Sequence, residues 1–155
     1  MSITTKEIIK EELEQLKKDI IQRQKDSGAM ASGKTAAGYE VVAEGELHGQ
    51  LKGYSYVGVL EVGRKPGKVP MYFKEIIKRW IISKGLQYQD DKDLNRMAAS
   101  IAWVIHKEGT TLHRNGYKVD IFDTPLKDFT NRINEKISMF YHAQAINEIY
   151  APWQQ

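Results

Sequence analysis

Residues 28–35 read Gly-Ala-Met-Ala-Ser-Gly-Lys-Thr and satisfy the phosphate-loop pattern G-x-x-x-x-G-K-[ST], in which backbone amides, a lysine and a hydroxyl hold phosphates and magnesium. Gly28, Gly33, Lys34 and Thr35 would be the phosphate-binding residues. That chemistry needs a buried strand feeding the loop and a helix leaving it, because the amides that cradle the anion sit at the helix N-terminus. The flanks run the other way. An amphipathic stretch enters, and an alternating segment leaves through Ala36, Ala37 and Gly38. Asp120 and Asp123, the candidate second metal ligands, follow no apolar run, so a glycine-rich linker is the preferred reading and nucleotide binding the alternative.

Other reactive side chains form no constellation. His48, His106, His113 and His142 lack H-x-x-x-H or H-x-x-E-H spacing, and with no cysteine in the chain neither a thiolate metal site nor a thiol nucleophile can be built. His106 falls near a helix end, where an imidazole interacts well with terminal carbonyls. Glu40, Glu44 and Glu46 share one face of a strand, with no nucleophile placed beside them, and read as a solvated row. No catalytic residue, cofactor or metal is expected.

The elements that must position these residues belong to a chain of 155 residues, about the length of one domain, with 41% hydrophobic and 10% aromatic residues to supply a core. A single domain over 1–155 is expected, soluble and made in a reducing cytoplasm, because no apolar run approaches the roughly 20 residues that cross a bilayer. The net charge is +3, yet residues 61–85 hold seven cations against Glu61 and Glu75, a local +5 that leaves −2 for the remainder. Steering toward an acidic partner would come from that segment.

From Ile3 to Lys25 the spacing of Ile9, Leu13, Leu16 and Ile20 predicts an amphipathic helix about 35 Å long, long enough to project or to pack on another subunit. Residues 26–38 are small, polar and glycine-rich, a mobile loop by composition. Tyr39 to Leu47 alternates as a strand, His48-Gly49 supplies a turn, and Leu51 to Val62 reads as the antiparallel partner. Pro70 opens a helix ending at Gly85, with Phe73, Ile76, Ile77, Trp80 and Ile81 as its buried stripe. Another helix starts near Asp90 to Asp93, carries Leu94, Met97, Ala98, Ile101, Ala102 and Ile105, and stops at Gly109. Asn115-Gly116 marks a second hairpin within Leu112 to Phe122. The last helix opens at Thr124-Pro125, with Leu126, Phe129, Ile133, Ile137 and Phe140 on one face and Pro152 as its latest end. The fold class is therefore α+β, with residues 39–155 as the core.

A basic DNA-binding module is a further alternative. The linker from Gly85 to Asp93 is longer than the three or four residues of a helix-turn-helix and ends in carboxylates that repel DNA. Tyr54, Tyr56, Tyr72 and Trp80 could stack on bases, but their spacing fits packing.

The stretch GYSYVGVLEVGRKPGKVPMYFKEIIKRWIISKGL, followed by AASIAWVIHKEGT, resembles the tail-completion and head-tail joining proteins of tailed bacteriophages. Leu60, Glu61, Gly63, Arg64, Pro66, Gly67, Pro70, Trp80, Ile81, Lys84 and Gly85 carry the likeness, and Ile101, Ala102, Ile105, Gly109 and Thr110 continue it. Met71 stands where a second proline is frequent, and beyond Thr110 only the order of elements is similar. The resemblance implies a structural virion protein at the head-tail junction or tail top, assembled in the host cytoplasm as a homo-oligomeric ring of roughly 6 or 12 copies. Its partners would be portal, adaptor and tail proteins, with genomic DNA nearby and no membrane. Arg64, Lys65, Pro66, Gly67 and Lys68 are the expected interface, pairing with carboxylates such as Glu40, Glu44 or Glu46 of a neighbouring copy or with acidic groups on the portal.

Overall fold

The computed structural model describes residues 4–151, an α+β arrangement of helices and one two-stranded antiparallel sheet. Ile3 and Pro152, the expected first and last helix boundaries, lie outside the described residues. Contacts gather the chain into two compact units, one of residues 4–23, 39–53 and 122–151 and the other of 24–38 and 54–121. The stretch after residue 38, expected as one core, contributes to both.

Helix α1 (Thr5–Asp26), which belongs to the first unit as far as Arg23, begins with a capping box: the Thr4 amide donates to Glu7 at 2.7 Å and the Glu7 amide to the Thr4 hydroxyl at 3.3 Å. These bonds hold the Glu7 carboxyl below its usual range, the backbone donor first. Ile9, Leu13, Leu16 and Ile20 are buried as their spacing requires. Strands β1 (Glu40–Glu44) and β2 (His48–Lys52) pair from Glu40 opposite Lys52 to Glu44 opposite His48.

The turn is therefore Gly45 to Leu47, not His48-Gly49. Gly45 takes the positive φ of 67° that opens it. Gly49 lies inside β2 for another reason: a Cβ there would stand 2.5 Å from Ile9 and 2.6 Å from Leu13, so its bare backbone lets α1 approach the sheet. The second strand also ends at Lys52 rather than Val62, because Gly53 and Gly58 interrupt it and residues 55–58 turn into a short helix, α3 (Val59–Val62).

Residues 26–38 are not without regular structure. They hold one helical turn, α2 (Lys34–Ala37), and the Lys84 ammonium donates to the carbonyls of Gly28 and Met30. Helix α4 (Phe73–Ser83) starts three residues after Pro70, since Pro70 to Phe73 forms a turn closed by a 2.9 Å bond. Helix α5 (Asp91–Glu108) is capped by the Asp90 carboxylate, which accepts from the Asp93 amide at 2.7 Å. Ile77 and Ile81 of α4 bury against Leu94, Ala98 and Ala102 of α5, forming the core of the second unit.

The second expected hairpin does not form. Thr110 caps a short helix, α6 (Thr111–Arg114), and Asn115-Gly116 ends it, Gly116 at φ 65° donating back to the His113 carbonyl at 3.1 Å. The Asn-Gly pair thus serves as a helix stop, a left-handed position that both uses demand. Helix α7 (Asp123–Tyr150) completes the first unit; Phe129, Ile133, Ile137 and Phe140 are half-buried on it, while Leu126 is exposed.

Within that unit, α1 and α7 are joined by charge. Glu12, its side chain only 4% exposed, accepts from Arg132 Nε at 2.8 Å and from Lys136 Nζ at 2.6 Å, and Arg132 also reaches Asp19 at 3.2 Å. Burial pushes the Glu12 carboxyl up, but the bonds and charges of Arg132 and Lys136 outweigh it and hold the group below its usual range.

Candidate functional site

The basic loop is built by fixing both its ends to one short stretch of chain. Gly63 and Gly109, at φ 78° and 82°, bring two backbones so close that a Cβ on Gly63 would lie 2.5 Å from the Thr110 hydroxyl and one on Gly109 would lie 2.5 Å from the Arg64 carbonyl. In that space the Arg64 amide donates to Thr110 Oγ1 at 2.9 Å, and the Thr110 amide donates to the Arg64 carbonyl at 2.9 Å. At the other end the Gly67 amide donates to the His106 carbonyl at 2.9 Å, and His106 Nδ1 meets the Gly67 carbonyl at 2.9 Å. The loop from Gly63 to Gly67 is thus clasped along the C-terminal end of α5.

The clasp separates the expected interface residues. Lys65, Pro66, Gly67 and Lys68 are exposed, whereas Arg64 is half-buried and turns inward: its guanidinium donates to the Lys68 carbonyl at 2.9 Å and lies 5.2 Å from the centre of the Phe73 ring. The exposed arc therefore carries two lysines rather than three cations. Several other charges of the +5 segment are also engaged locally, Lys78 and Arg79 with Glu75 and Lys84 with the 28–30 carbonyls. Glu61 is buried, accepting from the Ile121 amide at 3.3 Å and standing 3.9 Å from Lys118.

Beside the clasp lies an open, mostly apolar cleft of about 640 Å³, in the size range of small-molecule and side-chain pockets. Ile76, Trp80, Ile101 and Val104 form its apolar lining, with Arg64 and Arg114 among its polar residues. Ile76 and Trp80, expected inside the stripe of α4, are 39% and 40% exposed for this reason. Periodicity found these side chains but could not tell a filled groove from an open one.

The GAMASGKT segment follows helix α1 rather than a strand, as expected, but Lys34 to Ala37, expected to lead straight into a strand, form the single turn α2 before β1. Gly28 and Met30 turn carbonyl oxygens toward an ammonium group, the opposite polarity to amides aimed at a phosphate. Lys34 is exposed, and the Thr35 hydroxyl sits 3.4 Å from that of Tyr56, which stacks on Tyr54 with ring centres 5.3 Å apart. Among the described residues no group of three or more metal-ligating side chains converges, and no helix is long and apolar enough to cross a membrane. Glu40, Glu44 and Glu46 are all exposed.

No family model, curated protein or solved structure matches the chain.

Proposed function

We propose that this chain is a structural virion protein of a tailed bacteriophage, a non-enzymatic subunit of the connector or tail-completion ring around the DNA channel. The observation that carries the reading is the clasp. Gly63, Arg64, Pro66, Gly67, Gly109 and Thr110, six of the residues behind the resemblance, are brought together there although some 40 positions separate the two stretches. A fixed loop presenting Lys65 and Lys68 next to an open apolar cleft suits a subunit completed by its neighbours.

The test is incorporation. Lys65→Glu combined with Lys68→Glu leaves the clasp bonds intact, so the monomer should keep its circular dichroism while incorporation into particles in a complementation assay falls at least tenfold. Each exposed pair is worth only about 0.2–1 kcal/mol, but a ring repeats the contact in every copy. Normal incorporation accompanied by loss of DNA binding would refute an assembly contact and favour a channel-lining or DNA-binding role.

A further inference from the structure

Two apolar surfaces stay uncovered, each within its own unit. One is the cleft beside the clasp, with Ile76, Trp80, Ile101 and Val104 in its lining. The other is the distal part of α7, where every residue from Tyr141 to Ala151 is exposed and Met139, Ile146, Ile149 and Tyr150 range from 40% to 62%. At about 100° of rotation per residue, Met139, Ala143, Ile146 and Tyr150 fall on one face with Ile149 at its edge. Phe129, Ile133, Ile137 and Phe140, the half-buried stripe, lie roughly a third of a turn away. The exposed face is therefore a second apolar face that α7 does not use within its own unit.

We infer that the distal turns of α7 from one copy occupy the cleft of the next copy, an inference that rests on the ring reading above. The spacing of Met139, Ala143, Ile146 and Tyr150 is that of an amphipathic helix laid in a groove. Charge agrees with it. Residues 137–151 contain no lysine or arginine, and the end of a helix carries partial negative charge on carbonyls left without intrahelical partners. Arg64 and Arg114 in the cleft face that requirement: Arg64 donates to the Lys68 carbonyl, Arg114 to Glu108 and Thr111, and a guanidinium has five N–H groups to offer. A contact between two different surfaces is heterologous, so each copy gives one helix end and receives another, which is the interface type that closes into a ring.

The experiment uses two full-length variants and their mixture. Ile146→Asp with Ile149→Asp disables the helix end, and Ile76→Glu with Trp80→Glu disables the cleft; all four positions are exposed, and circular dichroism checks folding. Should the cleft variant lose helicity, Trp80→Ala replaces it. Sedimentation should show the wild type self-associating and each variant at least tenfold weaker. The mixture should form one-to-one heterodimers, because one intact helix end still meets one intact cleft. Variants that associate like the wild type, a mixture that stays monomeric, or a wild type that never associates would each overturn the contact. Rings that persist in both variants would do so while leaving the connector reading in place. Heterodimers from the mixture, together with a wild type that is itself never incorporated into particles, would instead uphold the contact and count against the connector reading.

Discussion

Replacing Glu12 by Gln removes one negative charge and almost no volume from the first unit, so the change reads the electrostatics of the α1–α7 contact alone. Two charge-assisted hydrogen bonds are weakened, to Arg132 at 2.8 Å and Lys136 at 2.6 Å, each worth about 1.5–3 kcal/mol where both partners are buried. The cations are not buried: their side chains are 34% and 47% exposed and regain water when the carboxylate is lost, which reduces the effect to about 1–2 kcal/mol. For a chain of this size that corresponds to a fall in Tm of roughly 3–8 °C. Arg132→Met should cost more, about 2–3 kcal/mol, because the anion it abandons is the buried member and keeps only Lys136. The pH dependence fixes the cause. Glu12 is held below 4.5 in the folded chain, so its contribution is full above that value and is lost as pH falls through the depressed folded value. Circular dichroism melts should therefore show wild type and Glu12→Gln well separated at neutral pH and converging in acid. A gap that stays constant down to about pH 3 would exclude the Glu12 charge as the cause and assign the loss to packing.

Gly109→Ala forces a side chain into a left-handed position 2.5 Å from the Arg64 carbonyl, and a loss of about 1–3 kcal/mol with faster hydrogen exchange at the Gly67 and Thr110 amides is expected. Calorimetry with magnesium and ATP or GTP should register no binding, and micromolar binding abolished by Lys34→Ala would overturn the virion reading. Residues 26–38 should exchange readily in the free protein and gain protection on assembly; full protection in the free monomer would contradict this. Lys84→Met, which removes the donor to the Gly28 and Met30 carbonyls, should speed proteolysis within that segment.

The parts of the fold legible in the sequence are those whose signal is local and repeated. The 4-3-4 spacing of Ile9, Leu13, Leu16 and Ile20 needs nothing beyond α1 to define a buried face, and the carboxylates around Asp90 mark the start of α5 because the cap bond spans only three residues. Glycine defeats such reading, since one residue type answers several physical demands. Gly49 looks like a turn but serves close approach of α1, while Gly45, four positions earlier, supplies the turn; Asn115-Gly116 looks like a hairpin but stops a helix. For Gly49 a pattern within a few residues cannot decide the case, because what decides it is α1, an element far along the chain.

The candidate site follows the same division. Cations concentrated in residues 61–85 are visible in the sequence, yet which of them faces outward depends on Thr110, whose hydroxyl and amide hold Arg64 in place, and on Gly109, which lets the two backbones approach. Once the Arg64 amide and carbonyl are both committed, its side chain leaves toward Phe73 and the cleft rather than toward solvent with Lys65 and Lys68. Arg64 is consequently shared by the loop and the cleft. Its guanidinium donates to the loop at the Lys68 carbonyl and is one of the cleft's polar groups. A helix end entering the cleft would take N–H groups that the Lys68 carbonyl does not use, so one guanidinium would hold the loop and the incoming helix together. Arg64→Lys keeps the charge but cannot serve both acceptors in a fixed plane, and it should uncouple them while leaving the Gly63–Gly109 approach unchanged.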